Sequence, residues 1–295
     1  MKSEALTTAR TETFLGDLAE LIKLRLSLLV LMTTLVGFLI AWQGPMDYVL
    51  LSATLAGTAL CASGAGALNQ WWERDLDARM KRTRNRPLPS QRMNASDALL
   101  FGLFFSASGL AILEIFTNFR AALLAFITIA IYVLVYTPMK RSSSLNTLVG
   151  AIPGALPPLI GWVAATGSYQ MEGGLLFALL WFWQMPHFLA IAWMYRDEYA
   201  DAGFEMLSRY DAEGYATSRQ ALLYTLGLLL VSLAPALWLF NTATYFYGAL
   251  FLGAGFTYFA AKFLFVRNRK AARNLFFASI IYLPLILVLQ VFTQK

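Results

Sequence analysis

Long apolar runs separated by short polar segments dominate this chain. A bilayer's hydrocarbon core of about 30 Å takes about 20 apolar residues per helix. Nine runs reach that length, at approximately 24–42, 49–70, 98–116, 119–137, 146–166, 174–195, 220–240, 244–265 and 274–293. They predict an all-α polytopic membrane protein with nine transmembrane helices. The first 22 residues are mixed polar and charged, without the pattern of a cleavable signal, and read as a short tail or an amphipathic lead-in. The predicted organisation is therefore a tail over 1–22 and a membrane domain over 23–295. Its two long connections fall at about 71–97 and 196–219.

Composition agrees with this pattern. Only 14% of the residues are charged and the mean hydropathy is +0.58, whereas a soluble domain carries roughly 25% charged residues. The net charge is +6, and its distribution reports topology rather than nucleic-acid binding. Of the 23 Lys and Arg, all but Arg120 and Lys295 fall on one side of a nine-helix arrangement. Basic residues mark the cytoplasmic side. This predicts a cytoplasmic N-terminus, an outside C-terminus, and both long connections in the cytoplasm. The expected location is a bacterial-type inner membrane, with membrane lipids around the chain. The single cysteine, Cys61, lies in an apolar run, so no disulfide framework or Cys metal site is expected.

The candidate chemistry sits where the second and sixth runs end. Asn69, Glu73 and Asp77 recur every four residues, with Asp75 between them. That spacing lines side chains along one helix face. Asp197 and Asp201 repeat it about 120 residues later, with Glu198 between. Carboxylates are disfavoured at a helix C-terminus, where the dipole is already negative. Two arrangements offset that cost. One is a solvated helix end paired with Arg74, Arg79 and Lys81. The other is a divalent cation, since Mg²⁺ takes one or two carboxylates plus phosphate oxygens. Two such files ending on the same face favour the second.

Basic residues follow the first file in Arg82-Thr-Arg84-Asn-Arg86-Pro87-Leu88-Pro89. The prolines impose a stiff non-helical turn that can aim guanidinium groups at a phosphate. Lys140 and Arg141 add cations on the same face. His187, the only histidine, follows Pro186 about 15 Å deeper than Asp197 along the helix. It reads either as a buried, hydrogen-bonded side chain or as a metal ligand or proton-transfer group. Trp and Tyr residues near the files, Tyr136 among them, can stabilise a cation through their ring faces. The fifth run carries Pro153, Pro157 and Pro158 with Gly150, Gly154 and Gly161. Such a helix suits a cavity wall.

The first file with its Arg-Thr-x-x-Arg-Pro continuation, and the second Asp-x-x-x-Asp, resemble the UbiA superfamily of intramembrane prenyltransferases. The resemblance covers nearly the whole chain. Tyr136-Thr-Pro-Met-Lys140-Arg141, Gly154-Ala-Leu-Pro-Pro-Leu-Ile-Gly161-Trp162, Trp183-Gln-Met-Pro-His187-Phe188 and the run Tyr195 to Gly203 resemble its heme-farnesylating branch, the heme O synthases. Many superfamily members have Asp where this chain has Glu73, which makes a quinone-precursor enzyme less expected. The resemblance implies a UbiA-type bundle that transfers the farnesyl group of farnesyl diphosphate to a vinyl group of heme B, with addition of water, giving heme O. It implies Mg²⁺, or Mn²⁺, held by Asn69, Glu73, Asp77, Asp197 and Asp201 as the catalytic set. It further implies diphosphate contacts from Arg82, Arg86, Lys140 and Arg141, and heme contact at His187. Heme B is then a substrate rather than a cofactor, and a heme A synthase or a terminal oxidase is an expected partner. Two competing readings are a UbiA-type enzyme acting on an aromatic ring and a non-catalytic heme-binding protein or transporter. Transporters place ionisable groups near the bilayer midplane; the acids here cluster at helix ends.

Overall fold

A computed structural model describes residues 14–238 and 243–293. Among these residues every regular element is helical. A short helix α1 (Phe14–Leu21) leads in, and the expected tail before it, 1–13, lies outside the described residues. The membrane-crossing elements are α2 (Leu24–Ala41), α3 (Tyr48–Asp77), α4 (Ala95–Phe116) and α5 (Phe119–Ala130). A π-helical turn (Ile131–Tyr136) and the short α6 (Thr137–Met139) prolong α5. Then come α7 (Asn146–Thr166), α8 (Met171–Met194), a six-residue α9 (Arg196–Asp201), α10 (Tyr215–Trp238), α11 (Ala243–Val266) and α12 (Arg269–Thr293). Nine helices among the described residues are long and apolar enough to cross a membrane. Residues 239 and 240 at the expected end of the seventh run lie outside the description.

One boundary differs from the pattern-based expectation in a way that matters. The second run was expected to end near 70, but α3 continues to Asp77. Its last two turns stay helical because Gln70, Glu73, Leu76 and Asp77 are all buried by neighbouring elements. Gln70 donates to the carbonyl of Leu21 at the end of α1. Leu76 packs with Met80, Ala202 and Phe204 from the two long connections. The acidic file is thus inside the protein rather than in a loop.

α7 packs on α2, α5 and α8. Closure between α2 and α7 depends on two glycines. A Cβ at Gly37 would lie 2.0 Å from the carbonyl oxygen of Pro158, and one at Gly161 would lie 2.0 Å from that of Thr34. Small residues at such crossings let backbones approach where lipid supplies no hydrophobic drive. The prolines of α7 do not break it. Gly150, Pro153, Gly154 and Pro157 line a cavity enclosed by α2, α3, α5, α7 and α8.

Candidate functional site

The cavity has a volume of about 430 Å³ and two unlike ends. At one end stand Lys23, Glu73, Asp77, Arg82, Arg86 and Lys140. The remainder is walled by Val30, Ala62, Ala65, Ala125, Ile129 and Ile160. Leu26, also on the wall, is 51% exposed, so the cavity opens sideways near its charged end.

Cations hold the first acidic file. Both oxygens of Glu73 accept from Lys140 Nζ, at 2.7 and 3.1 Å. Asp77 Oδ2 accepts from Arg86 Nη1 at 2.7 Å. Asn69 Oδ1 accepts from Lys23 Nζ, and its amide donates to Thr137 Oγ1 at 2.8 Å. Arg82, Arg86 and Lys140, with Lys23 beside them, outnumber the two carboxylates and leave the end electropositive, which suits a polyanion. Burial alone would lower the Lys140 ammonium, but Tyr136 and Glu73 beside it push it above its ordinary value. Burial, reinforced by Lys140 and Arg86, brings Lys23 down from 10.5 to about 7 against the pull of Glu73 and Asp77. Lys23 also sits at φ 51 in the left-handed region, which is uncommon without glycine. That turn joins α1 to α2 and lets Nζ reach both Asn69 and, at 3.1 Å, the hydroxyl of Tyr132.

Aromatic rings stand beside the cations. Tyr132 and Tyr136 stack with centroids 5.6 Å apart. Lys140 Nζ lies 4.7 Å from the Tyr136 ring centre, so this ring already presents its face to positive charge.

The second file is placed differently. The α8 helix ends at Met194, and α9 starts at Arg196 after a non-helical Tyr195. Asp197 has a side chain 92% exposed, next to Arg196, and Asp201 is exposed as well. The cause is the neighbouring Tyr199, which packs against the Leu76, Met80 and Phe204 cluster. Tyr199 lies on the opposite side of α9 from Asp197, so seating it turns both aspartates outward. The residues of α9 that reach the cavity side are Tyr199, on its wall, and Glu198, which accepts from the backbone N–H of Arg82 at 3.2 Å. The two files therefore do not share one centre here. Among the described residues no group of three Asp, Glu, His or Cys is gathered as a metal cage. Asn69, Glu73 and Asp77 nevertheless offer only hard oxygen donors in one line, and this donor chemistry fits Mg²⁺ or Mn²⁺.

Arg141 is exposed and off the cavity wall, unlike Lys140. His187 is likewise off the wall, although its helix neighbours Gln184 and Phe188 are on it. Its ring lies between Trp183 and Phe276, with centroids 5.1 and 4.9 Å away. Nδ1 is 2.7 Å from Ser279 Oγ, and that hydroxyl donates to the carbonyl of Phe276. Ser279 has one proton to give, so Nδ1–H must donate and Nε2 carries the lone pair. The sequence pattern alone gives Lys23 no role beyond that of any basic residue flanking a span, and gives Tyr132 and Tyr199 none. The four-residue spacing of Tyr132, Tyr136 and Lys140 was the available signal for Tyr132.

Comparison with known proteins follows this geometry. A model of the UbiA prenyltransferase family matches residues 30–281. A protein of Solibacter usitatus named protoheme IX farnesyltransferase is 43% identical over 279 residues, covering 92% of this chain and 96% of its own length. Its counterpart in Opitutus terrae is 44% identical over 284 residues, covering 95% of each. The human mitochondrial protein of that name is 38% identical over 280 residues, which are 95% of this chain and 62% of the human one. Among solved structures, digeranylgeranylglyceryl phosphate synthase superposes with a TM-score of 0.81 at 18% identity, covering 95% of this chain and 98% of that one. A UbiA homolog from Archaeoglobus fulgidus bound to DMAPP and Mg²⁺ gives 0.62 at 15% identity, covering 92% and 98%. At these identities the likeness is one of fold.

Proposed function

The chain belongs to the UbiA prenyltransferase family, and from that premise we propose how its cavity works. It is a multi-pass membrane enzyme that transfers the farnesyl group of farnesyl diphosphate to a vinyl group of heme B, giving heme O and diphosphate. The observation that carries the reading is one cavity with an electropositive end leading into an apolar shaft. Such a shape matches an amphiphile with an anionic head and a hydrocarbon tail.

The reaction divides between the two ends. Lys23, Arg82, Arg86 and Lys140 hold the diphosphate, which takes the electron pair as the C1–O bond breaks. Asn69, Glu73 and Asp77 would hold a divalent ion there, which supplies charge neutralisation of the leaving group when bound. Asp197 and Asp201 belong to the loaded state, once α9 turns them inward. Tyr132 and Tyr136 face the allylic cation. The apolar wall keeps water from it until the terminal vinyl carbon has formed the new C–C bond. Water then adds to the internal vinyl carbon and loses a proton. We assign Arg141 to the mouth, and to His187 a contact with the heme through its Nε2 lone pair. Positive charge on one side argues for an active site facing the cytoplasm of a bacterial inner membrane.

The test is product analysis. Purified protein with heme B, farnesyl diphosphate and Mg²⁺ is expected to yield heme carrying one farnesyl group and one added water. Unmodified heme alongside a prenylated aromatic acid such as 4-hydroxybenzoate would overturn the assignment of acceptor.

A further inference from the structure

The apolar shaft contains a polar patch that the diphosphate chemistry does not use. Gln184 of α8 is buried on its wall. Its amide nitrogen donates to the carbonyls of Ala151 and Leu180, at 3.2 and 3.1 Å. Those two acceptors fix which end of the amide is nitrogen. The other end, Oε1, accepts no hydrogen bond among the described residues. It lies over Gly154, where a Cβ would collide with it, and Gly154 is itself on the wall.

The backbone beside it adds two more acceptors. A helical carbonyl takes its hydrogen bond from the N–H four residues on, and proline has none. Pro157 and Pro158 therefore leave the carbonyls of Pro153 and Gly154 without their helical donors. Pro153 and Pro157 both stand on the wall, so the gap in the ladder between them opens on the shaft. An anion is repelled by such a set of acceptors. A water molecule fits it, donating its hydrogens to the wall and keeping a lone pair toward the shaft.

The position suits one step of the reaction. The ring of Tyr136 packs over Gly150, one helical turn or about 6 Å above Gly154. If the allylic C1 stands level with that ring, the internal vinyl carbon lies two bonds beyond it, about 2.5 Å away. A nucleophile poised for attack stands about 3 to 3.5 Å further. The sum is about 6 Å, which reaches the patch.

We propose that Gln184, with the carbonyls of Pro153 and Gly154, positions the water that completes the product. The inference rests on the heme B reading of the same cavity. The vinyl π electrons form the bond to C1, and the internal carbon becomes cationic. The water oxygen gives a lone pair to that carbon and forms the C–O bond. The proton it then loses passes through solvent to the diphosphate, which left with the electron pair of the C1–O bond. Gln184 takes no proton; it sets where the oxygen stands. Without a positioned water, the same cation sheds a proton from the neighbouring methylene and ends as an alkene, lighter by one water.

The test is the ratio of these two products, read by mass spectrometry from the full chain in detergent with heme B, farnesyl diphosphate and Mg²⁺. Wild type is expected to give mainly the water-added heme. Gln184→Met keeps the bulk of the side chain and removes the acceptor. It should raise the share of alkene by about tenfold or more, a larger change than in diphosphate release, which precedes the water step. A merely structural role would lower release and leave the ratio where it is. Gln184→Glu keeps an acceptor oxygen in place and should hold the wild-type ratio. If Gln184→Met misfolds, Gln184→Leu and Gly154→Ala, which displaces Oε1, put the same question. Folded variants lacking the acceptor that keep the wild-type ratio on farnesylated heme would overturn this proposal alone. A wild type that makes no farnesylated heme would overturn the acceptor reading, and the proposal with it.

Discussion

Lys140→Met gives the sharpest test of the charged end. It leaves Glu73, whose side chain is 5% exposed, without the ammonium that now sits 2.7 Å from one of its oxygens. At an effective dielectric near 20, unit charges about 3 Å apart attract by about 5 to 6 kcal/mol. Part of that offsets the cost of desolvating both groups. Removing one partner of a buried pair typically costs about 3 to 5 kcal/mol, because the other charge stays buried and alone. Replacing both with apolar residues of similar size is often close to neutral. The expected pattern is therefore about 3 to 5 kcal/mol of destabilisation for Lys140→Met and for Glu73→Leu alone, and under about 2 kcal/mol for the double variant. The assay is a double-mutant cycle from reversible unfolding in mixed micelles, followed by tryptophan fluorescence. The double variant should be stable yet inactive, since the pair then serves ligand binding rather than folding. A coupling below about 1 kcal/mol would refute the argument, because it would mean that water reaches the pair freely.

Four further outcomes follow. Lys23 carries a folded pKa of about 7 against 10.5 unfolded, so between those values the unfolded chain binds more protons and stability rises with pH. Relative to Lys23→Met, wild type should be least stable below pH 7 and recover toward pH 10; a flat difference in Tm would contradict the buried placement. Chelating divalent ions, or making Asp77→Ala, should lower diphosphate release by at least about a hundredfold, and release that persists in both would remove the first file from the chemistry. Thr58 is buried with no hydrogen-bond partner for Oγ1 among the described residues, so Thr58→Val should stabilise by about 1 kcal/mol in reversible unfolding, and a destabilised variant would show that the hydroxyl is satisfied. Ser279→Ala should loosen the His187 tautomer and change the absorption spectrum of bound heme, with Ser279→Thr restoring it; identical spectra in all three would place His187 away from the heme.

Much of this was legible in the residues and some was not, for reasons that differ by element. Apolar runs mark spans because length and hydropathy are local properties, and Asn69, Glu73 and Asp77 share a face because helical spacing is local too. The partners of those side chains are not local. Lys23 and Asn69 meet across 46 positions, and Lys140 and Glu73 across 67. Nothing in the spacing of Lys23 separates it from the other basic residues that cluster on the same side of the predicted spans. The outward turn of Asp197 and Asp201 follows from where Tyr199 seats, which depends on Leu76 and Met80 in a distant segment. Symmetry between the two acidic files was visible in the sequence; the difference in their burial was not.

The π turn between Ile131 and Tyr136 has a consequence for which changes this segment can absorb. Positions four apart in an α-helix drift by about 40° per step, so three of them spread over about 80°. The wider turn winds back most of that drift, and Tyr132, Tyr136 and Lys140 stay in one column along the wall. Leu134 and Val135, within the same turn, face outward and are exposed. The segment should therefore accept exchanges of one apolar residue for another at those two positions with little effect. Losing a single residue anywhere in it would restore the ordinary helical phase and swing either the tyrosines or the lysine off the wall. Variation here is tolerated in kind but not in number.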